Sequence, residues 1–162
     1  MTFVQNVSIF GAKYLIYVLL LVTGVWYLLL KDRAKQKDIL IFAIATLPLA
    51  FLVSLLAAKL YLDPRPFVTG HFTPLIAHGT DNGFPSDHTL LSAVVASIVW
   101  RYDRRVGYPL FVLTLVVGLS RMYVGVHHLV DILGSIFIAI MSAVIISRVL
   151  KIKHEKTKEP QS

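Results

Sequence analysis

At 162 residues, 56% hydrophobic and only 15% charged, with a mean hydropathy of +0.71, the chain has too little polar surface to cover itself as a soluble domain. Its length allows one domain, and no repeat, low-complexity tract or linker divides it. The absence of cysteine excludes disulfides and thiolate metal sites, and the net charge of +7 is distributed in a way that argues against a nucleic-acid footprint.

Uncharged runs mark the predicted membrane spans. Tyr14–Leu30 supplies 17 residues and Ile39–Ala58 supplies 20, with Pro48 tolerable inside a packed transmembrane helix. Three shorter runs follow: Thr89–Trp100 (12), Val106–Ser120 (15) and Ile132–Ser147 (16). The fold expected is an all-α integral membrane helical bundle of five spans, with residues 1–13 either a remnant of a sixth span or an interfacial stretch. Small residues at fourfold spacing (Ser135, Ala139 and Ala143; Ser92 and Ala96) suit close helix packing, or are ordinary small-residue usage.

Five spans place the connecting segments on alternating sides, and the basic residues sort with them. Lys31, Arg33, Lys35 and Lys37, then Arg101, Arg104 and Arg105, then Arg148, Lys151, Lys153, Lys156 and Lys158 make twelve of sixteen Lys and Arg on one side. The positive-inside rule makes that side cytoplasmic. The N-terminus is therefore expected outside. The basic flank after the first run, with no small-residue cleavage site, argues against a removed signal peptide. Residues 1–150 are read as the transmembrane domain and 151–162 as a basic cytoplasmic tail.

The remaining cations are Lys13, Lys59, Arg65 and Arg121. Lys13 needs no role beyond snorkelling. The other three approach the outer side, as do His71, His78, His88, His127 and His128, while His154 lies in the inner tail. An arginine near the apolar core costs about 2.5–3.5 kcal/mol on insertion scales and is rarely idle. The third run covers only about 18 Å of a hydrocarbon core of about 30 Å, so His88 should sit below the outer surface. Such a recessed site is where the phosphate of an embedded lipid would lie.

Three clusters converge there. The first is Lys59-Leu60-Tyr61-Leu62-Asp63-Pro64-Arg65-Pro66; the second is Phe84-Pro85-Ser86-Asp87-His88-Thr89; the third runs from Ser120-Arg121 to His127-His128-Leu129-Val130-Asp131. Arginines offer forked donors to phosphate oxygens. Ser86 and the backbone N–H groups at the start of a helix make an anion-binding end. His127 and Asp131, four apart, share one face if the last helix begins by His127, so that the carboxylate holds one ring nitrogen and leaves the other nucleophilic. His88 supplies a second imidazole for proton transfer.

These clusters resemble the three signature motifs of the type 2 phosphatidic acid phosphatase (PAP2) superfamily. The third motif matches in full through Ser120, Arg121, His127 and Asp131, and the second matches except that Asp87 replaces glycine. Pro85-Ser86-Asp87-His88, Arg65-Pro66-Phe67 and the stretch from Ser120 to His127 are similar to the undecaprenyl-diphosphatase branch associated with bacitracin resistance. In the first motif five residues, not six, separate Lys59 from Arg65, which turns the ammonium by about 100° on a helix. Lys59 then either reaches the phosphate through its flexible stem or snorkels at the interface. The superfamily also usually has six spans.

The resemblance implies a lipid phosphatase that hydrolyses undecaprenyl diphosphate at the outer membrane face through a phosphohistidine. His127 is the implied nucleophile, Asp131 its partner and His88 the proton donor. Arg65, Arg121, Ser86, Ser120 and Lys59 bind phosphoryl oxygens. Asp87 is expected to join them through its backbone N–H, with its side chain capping the helix or holding an arginine. No metal or other cofactor is implied, because the cations stand where a metal would. Partners are a lipid phosphate and the bilayer, not nucleic acid.

His71 and His78 read most simply as loop residues, Asp81 and Asn82 as turn residues, and His128 as an interfacial neighbour. The same phosphatase could serve phosphatidylglycerophosphate or phosphatidate, since the motifs read phosphate and not the tail. A rival of another class is a membrane metal-binding or transport protein with the histidines and aspartates as ligands. The paired arginines weigh against it, because they repel an entering cation.

Overall fold

A computed structural model describes the backbone of residues 1–158 and the side chains of residues 1–151. Among the described residues the order is α1 (Phe3–Lys13), α2 (Leu15–Leu29), α3 (Arg33–Leu60), α4 (Pro66–Thr69), α5 (Asp87–Tyr102), α6 (Arg104–Tyr123) and α7 (Leu129–Lys158). The only extended pairing among them is an isolated bridge between Pro64 and Asn82. Each of the five apolar runs forms one helix. The junction expected at 150/151 lies inside α7, whose backbone stays helical to Lys158. The rest of the tail, and every side chain beyond Lys151, falls outside the described residues.

Three helices are individually long and apolar enough to cross a membrane: α3, α6 and the stretch Leu129–Lys151 of α7. The pair α1 and α2, bent by 51° around Tyr14, makes a fourth if taken as one span. The fifth expected span, α5, has 16 residues, about 24 Å, and so falls short of a hydrocarbon core of about 30 Å. It is instead the most enclosed helix in its middle stretch. Thr89, Leu90 and every residue from Ser92 to Val99 are buried, because their small and β-branched side chains let the neighbouring helices approach from all sides. Leu90, Ala93, Val94 and Ile98 pack with Phe42 of α3 and Ile138 of α7, while Val95 and Val99 pack with Leu19 of α2 and Leu110 of α6. Ser92, Ala96, Ser135, Ala139 and Ala143 are all buried, which settles their fourfold spacing as a packing feature.

Two carboxylates punctuate the basic end. Asp32 accepts from Ala34 N and Lys35 N at the start of α3, and Asp103 accepts from Arg105 N and Val106 N at the start of α6. Each satisfies amide donors that a helix leaves unpaired. At the other end the long connection 61–86 is tied down by Asn82. Its Nδ2 donates to Ala58 O and Tyr61 O, each at 3.0 Å, and its Oδ1 accepts from Asp63 N at 2.9 Å. Asn82 is thus not simply a turn residue. It closes the C-terminal carbonyls of α3 and holds the loop to the bundle.

The N-terminal segment is an ordered helix seated on the end of α6. A Cβ at Gly11 would lie 2.2 Å from Ser120 Oγ, so only glycine lets α1 come this close to the Ser120–Arg121 turn. Gly125 has φ +85°, and a Cβ there would meet the Phe72 ring at 2.6 Å. Both reasons require glycine in the turn that delivers His127.

Candidate active site

Helix α6 ends at Tyr123 and α7 begins at Leu129, so His127 precedes the last helix instead of opening it. Its contact with Asp131 forms all the same. His127 Nδ1 lies 3.1 Å from Asp131 Oδ2, and the same oxygen accepts His128 N at 2.9 Å. Asp131 therefore occupies the third helical position and reaches back to the residue before the helix, as in half of a capping box. The sequence distance of four does its work through this cap. Both residues are buried, His127 to 4% exposure and Asp131 to 0%.

The orientation of the ring follows from the partners of its two nitrogens. Nδ1–H donates to the carboxylate, which leaves the Nε2 lone pair facing outward. Nε2 meets Arg65 Nη1 at 3.4 Å and Arg121 Nη2 at 3.3 Å, so two guanidiniums converge on the free nitrogen. Burial lowers the pKa of His127 below the ordinary histidine value. The hydrogen bond to Asp131 opposes this shift, and the two arginine charges add to it. The ring is neutral at neutral pH and its lone pair is available.

Both arginines are nearly buried, at 4% exposure each, and each is held by backbone as well as by side chains. Arg65 Nη1 donates to Val126 O at 3.0 Å and Nη2 to Asn82 O at 3.3 Å. Arg121 Nη1 donates to Ala12 O of α1 at 3.5 Å. Arg121 Nε is buried without a partner, a donor not yet satisfied. Ser86 ends the loop before α5 with its side chain fully buried. Its Oγ accepts from Thr89 Oγ1 at 3.1 Å, while Ser135 Oγ donates to Ser86 O at 3.0 Å and so ties the start of α5 to α7. His88 follows in the first turn of α5, half-buried and within electrostatic range of Arg121, His127 and His78.

Three expected phosphate ligands stand apart. Lys59 is exposed at the end of α3 and has no hydrogen bond or ion pair among the described residues. Ser120 is buried against Gly11 of α1, and its hydroxyl bonds to none of the other site residues. Asp87 is exposed and neither caps α5 nor pairs with an arginine, contrary to expectation. Its charge lies within electrostatic reach of Arg121 without contact.

Two loop residues read as plain turn or loop residues are instead part of the site. Asp81 grips Arg65 through both oxygens, at 3.2 Å from Nε and 3.3 Å from Nη2. Three residues earlier, His78 Nε2 lies 2.9 Å from Arg121 Nη2, and its ring centroid is 6.1 Å from that of His127. Burial first, then Arg65 and Arg121, lower the pKa of His78, so its neutral ring accepts from Arg121 at neutral pH. The hydrogen bond with Arg65 holds the Asp81 carboxyl below its ordinary value, so this pair is lost only as pH falls through that lowered value. The spacing His78–Asp81 was the available signal, but nothing local says which arginines a loop will cover. His71 stays exposed in the same loop, at φ 50°.

Asp81 thus holds the Nε/Nη2 edge of Arg65, while Nη1 faces Val126 O and His127 Nε2, and puts a negative charge beside the site. Its side chain is 70% exposed, so the pair is weak, about 0.2–1 kcal/mol. Asp81→Asn is expected to bind orthovanadate about two- to fivefold more tightly, read from inhibition of phosphate release. Weaker vanadate binding would show that Asp81 orients Arg65 instead of competing for it.

A buried imidazole–carboxylate pair whose second ring nitrogen faces two guanidiniums, set at the end of a helical membrane bundle, offers a nucleophile beside an anion-stabilising pocket. Residues 37–155 match the PAP2 superfamily, and the chain belongs to it as a multi-pass membrane protein. It is 35% identical over 142 residues to undecaprenyl-diphosphatase BcrC of Bacillus subtilis (strain 168), which covers 85% of this chain and 70% of that protein. In fold it is similar to LpxE of Aquifex aeolicus (TM-score 0.67, 19% identity, 88% of this chain and 82% of that one). It also resembles the PAP2-type phosphatidylglycerolphosphate phosphatase of Bacillus subtilis (TM-score 0.55, 19% identity, 97% and 77%).

Proposed function

We propose that the chain is a lipid-phosphate phosphatase that hydrolyses undecaprenyl diphosphate to undecaprenyl phosphate and inorganic phosphate through a phosphohistidine. The observation that carries the reading is His127 Nε2, oriented by Asp131 through Nδ1 and facing both Arg65 and Arg121. The choice of lipid rests on the likeness to BcrC.

In the first step His127 Nε2 forms a bond to the terminal phosphorus as the bond to the bridging oxygen breaks. The electron pair leaves on that oxygen, which takes a proton from His88. Asp131 steadies the imidazolium that results. In the second step His88 removes a proton from water, the hydroxyl oxygen bonds to phosphorus, and the P–N bond breaks to restore His127. Arg65 and Arg121 balance the negative charge on the phosphoryl oxygens in both steps. Buried guanidiniums act strongly here because little water competes with them.

Metal binding by this end has one observation in its favour. Asp63, His128 and Asp131 bring ligand atoms within 4.8 Å of one another. Two facts weigh against it: His128 Nδ1 already bonds Asp63 Oδ2 at 2.9 Å, and Asp131 Oδ2 already receives two donors. Phosphate release from purified undecaprenyl diphosphate is expected to persist in EDTA and to be inhibited by vanadate. Activity lost in EDTA and restored by a stoichiometric divalent ion would overturn the metal-free reaction. Faster release from phosphatidylglycerophosphate or phosphatidate would reassign the lipid and keep the chemistry.

The distribution of basic residues supports a site on the outer face. Thr80 lies exposed in the loop over the site, and Lys37 is exposed near the start of α3 at the opposite end. Thr80→Cys should react in intact cells with an impermeant thiol reagent, and Lys37→Cys only after permeabilisation. The reverse pattern would place the site inside.

A further inference from the structure

The end of the bundle opposite His127 contains a cavity of about 730 Å³. Trp100 of α5, Phe111 of α6 and Ile140 of α7 give it an apolar wall, and Arg101, Arg104 and Arg148 border it. It is separate from the catalytic site. Arg101 lies 13 residues beyond His88 on α5, about 20 Å away, and Arg104 lies 17 before Arg121 on α6, about 26 Å.

A topology signal alone needs only arginines that reach into water. Two of these, though exposed, are also held against the protein. Arg101 donates to Ser147 Oγ, and its Cζ stands 4.9 Å from the Phe42 ring centroid and 5.7 Å from that of Tyr102. Arg104 Cζ lies 6.0 Å from the centroid of Trp100. Cation–π contact fixes a guanidinium while leaving most of its N–H donors free. Among the described residues none of the three has a carboxylate partner, since Asp103, the acid between Arg101 and Arg104, is turned inward to cap α6. Three cations without a carboxylate partner among the described residues therefore border an apolar hollow alongside the membrane-crossing stretch of α7.

We propose that this cavity binds an anionic phospholipid, its headgroup phosphate held by Arg101, Arg104 and Arg148 and an acyl chain lying along Trp100, Phe111 and Ile140. The charge calls for an anion, and the apolar wall and the volume call for a hydrocarbon tail attached to it. The site is independent of the catalytic reading, because no residue is shared.

The test compares retention of phosphatidylglycerol and phosphatidylcholine of matched chains by the purified full chain, read by native mass spectrometry. Phosphatidylglycerol should be retained preferentially and should resist displacement by millimolar inorganic phosphate. Arg101→Gln, Arg104→Gln and Arg148→Gln should each lower its retention about fivefold. Val144→Trp, which fills the hollow without touching charge, should reduce retention of both lipids. Equal retention of the two lipids by the unaltered protein overturns the proposal whatever the variants do. So does unchanged retention by all three arginine variants. Displacement by phosphate would overturn the lipid as occupant.

Discussion

His127→Ala is expected to lower phosphate release by about 10³–10⁶-fold and to abolish acid-labile phosphate trapped on the protein during turnover. The magnitude follows from the position of Nε2, which has no substitute in the site. His78, whose ring centroid is 6.1 Å away, has Asp81 4.0 Å from its Nδ1, beyond hydrogen-bond reach, where Asp131 stands 3.1 Å from Nδ1 of His127. Truncation should leave the fold intact, since the backbone of this turn is held separately by Val126 N to Arg121 O and Arg65 Nη1 to Val126 O. Thermal unfolding of the variant checks that point. Because the reaction needs neutral His127 with protonated His88, the pH profile should be bell-shaped, with limbs belonging to the coupled site and not to one residue. A variant that still releases phosphate at a rate near the unaltered protein, or still traps it, would remove His127 from its role.

Arg121→Ala is expected to reduce kcat by about 10²–10³-fold, the scale of losing one preorganised donor to a developing oxyanion. Arg121→Lys should recover little of this. A lysine is a point charge and cannot reach Ala12 O, His78 Nε2 and His127 Nε2 from one planar group as Arg121 does. The unpartnered Nε of Arg121 supports the same view: a buried donor left open costs stability unless a ligand completes it. Vanadate should accordingly raise the melting temperature of the unaltered protein and not that of Arg121→Ala. Equal stabilisation of both would assign the phosphate to Arg65 alone.

What the amino-acid order by itself determined is whatever depends on neighbours along the chain or on partition between water and lipid. The apolar runs predicted the five longer helices, because removing backbone from water leaves an unbroken helix as the economical solution. The i to i+4 distance joined His127 to Asp131, although through a helix cap and not along a helix face. The spacing of Lys59 left its role open between reaching the phosphate and snorkelling, and the side chain is exposed at the end of α3.

Tertiary structure alone decided the rest. Asp81 and His78 lie sixteen residues beyond Arg65 and forty-three before Arg121, so no periodicity links them to the arginines they cover. Asn82 looked like a turn residue because its clamp on Ala58 O and Tyr61 O exists only once the loop folds back over α3. Residues 1–13 had no fixed role until α1 packed on α6, where Gly11 admits Ser120 and Ala12 O meets Arg121. The inner arginines marked topology in the sequence, and the cavity they border appears only where α5, α6 and α7 come together. Local chemistry places charges and helices along one chain, but which groups share a pocket is settled by long-range packing, and that is encoded jointly by residues far apart in order.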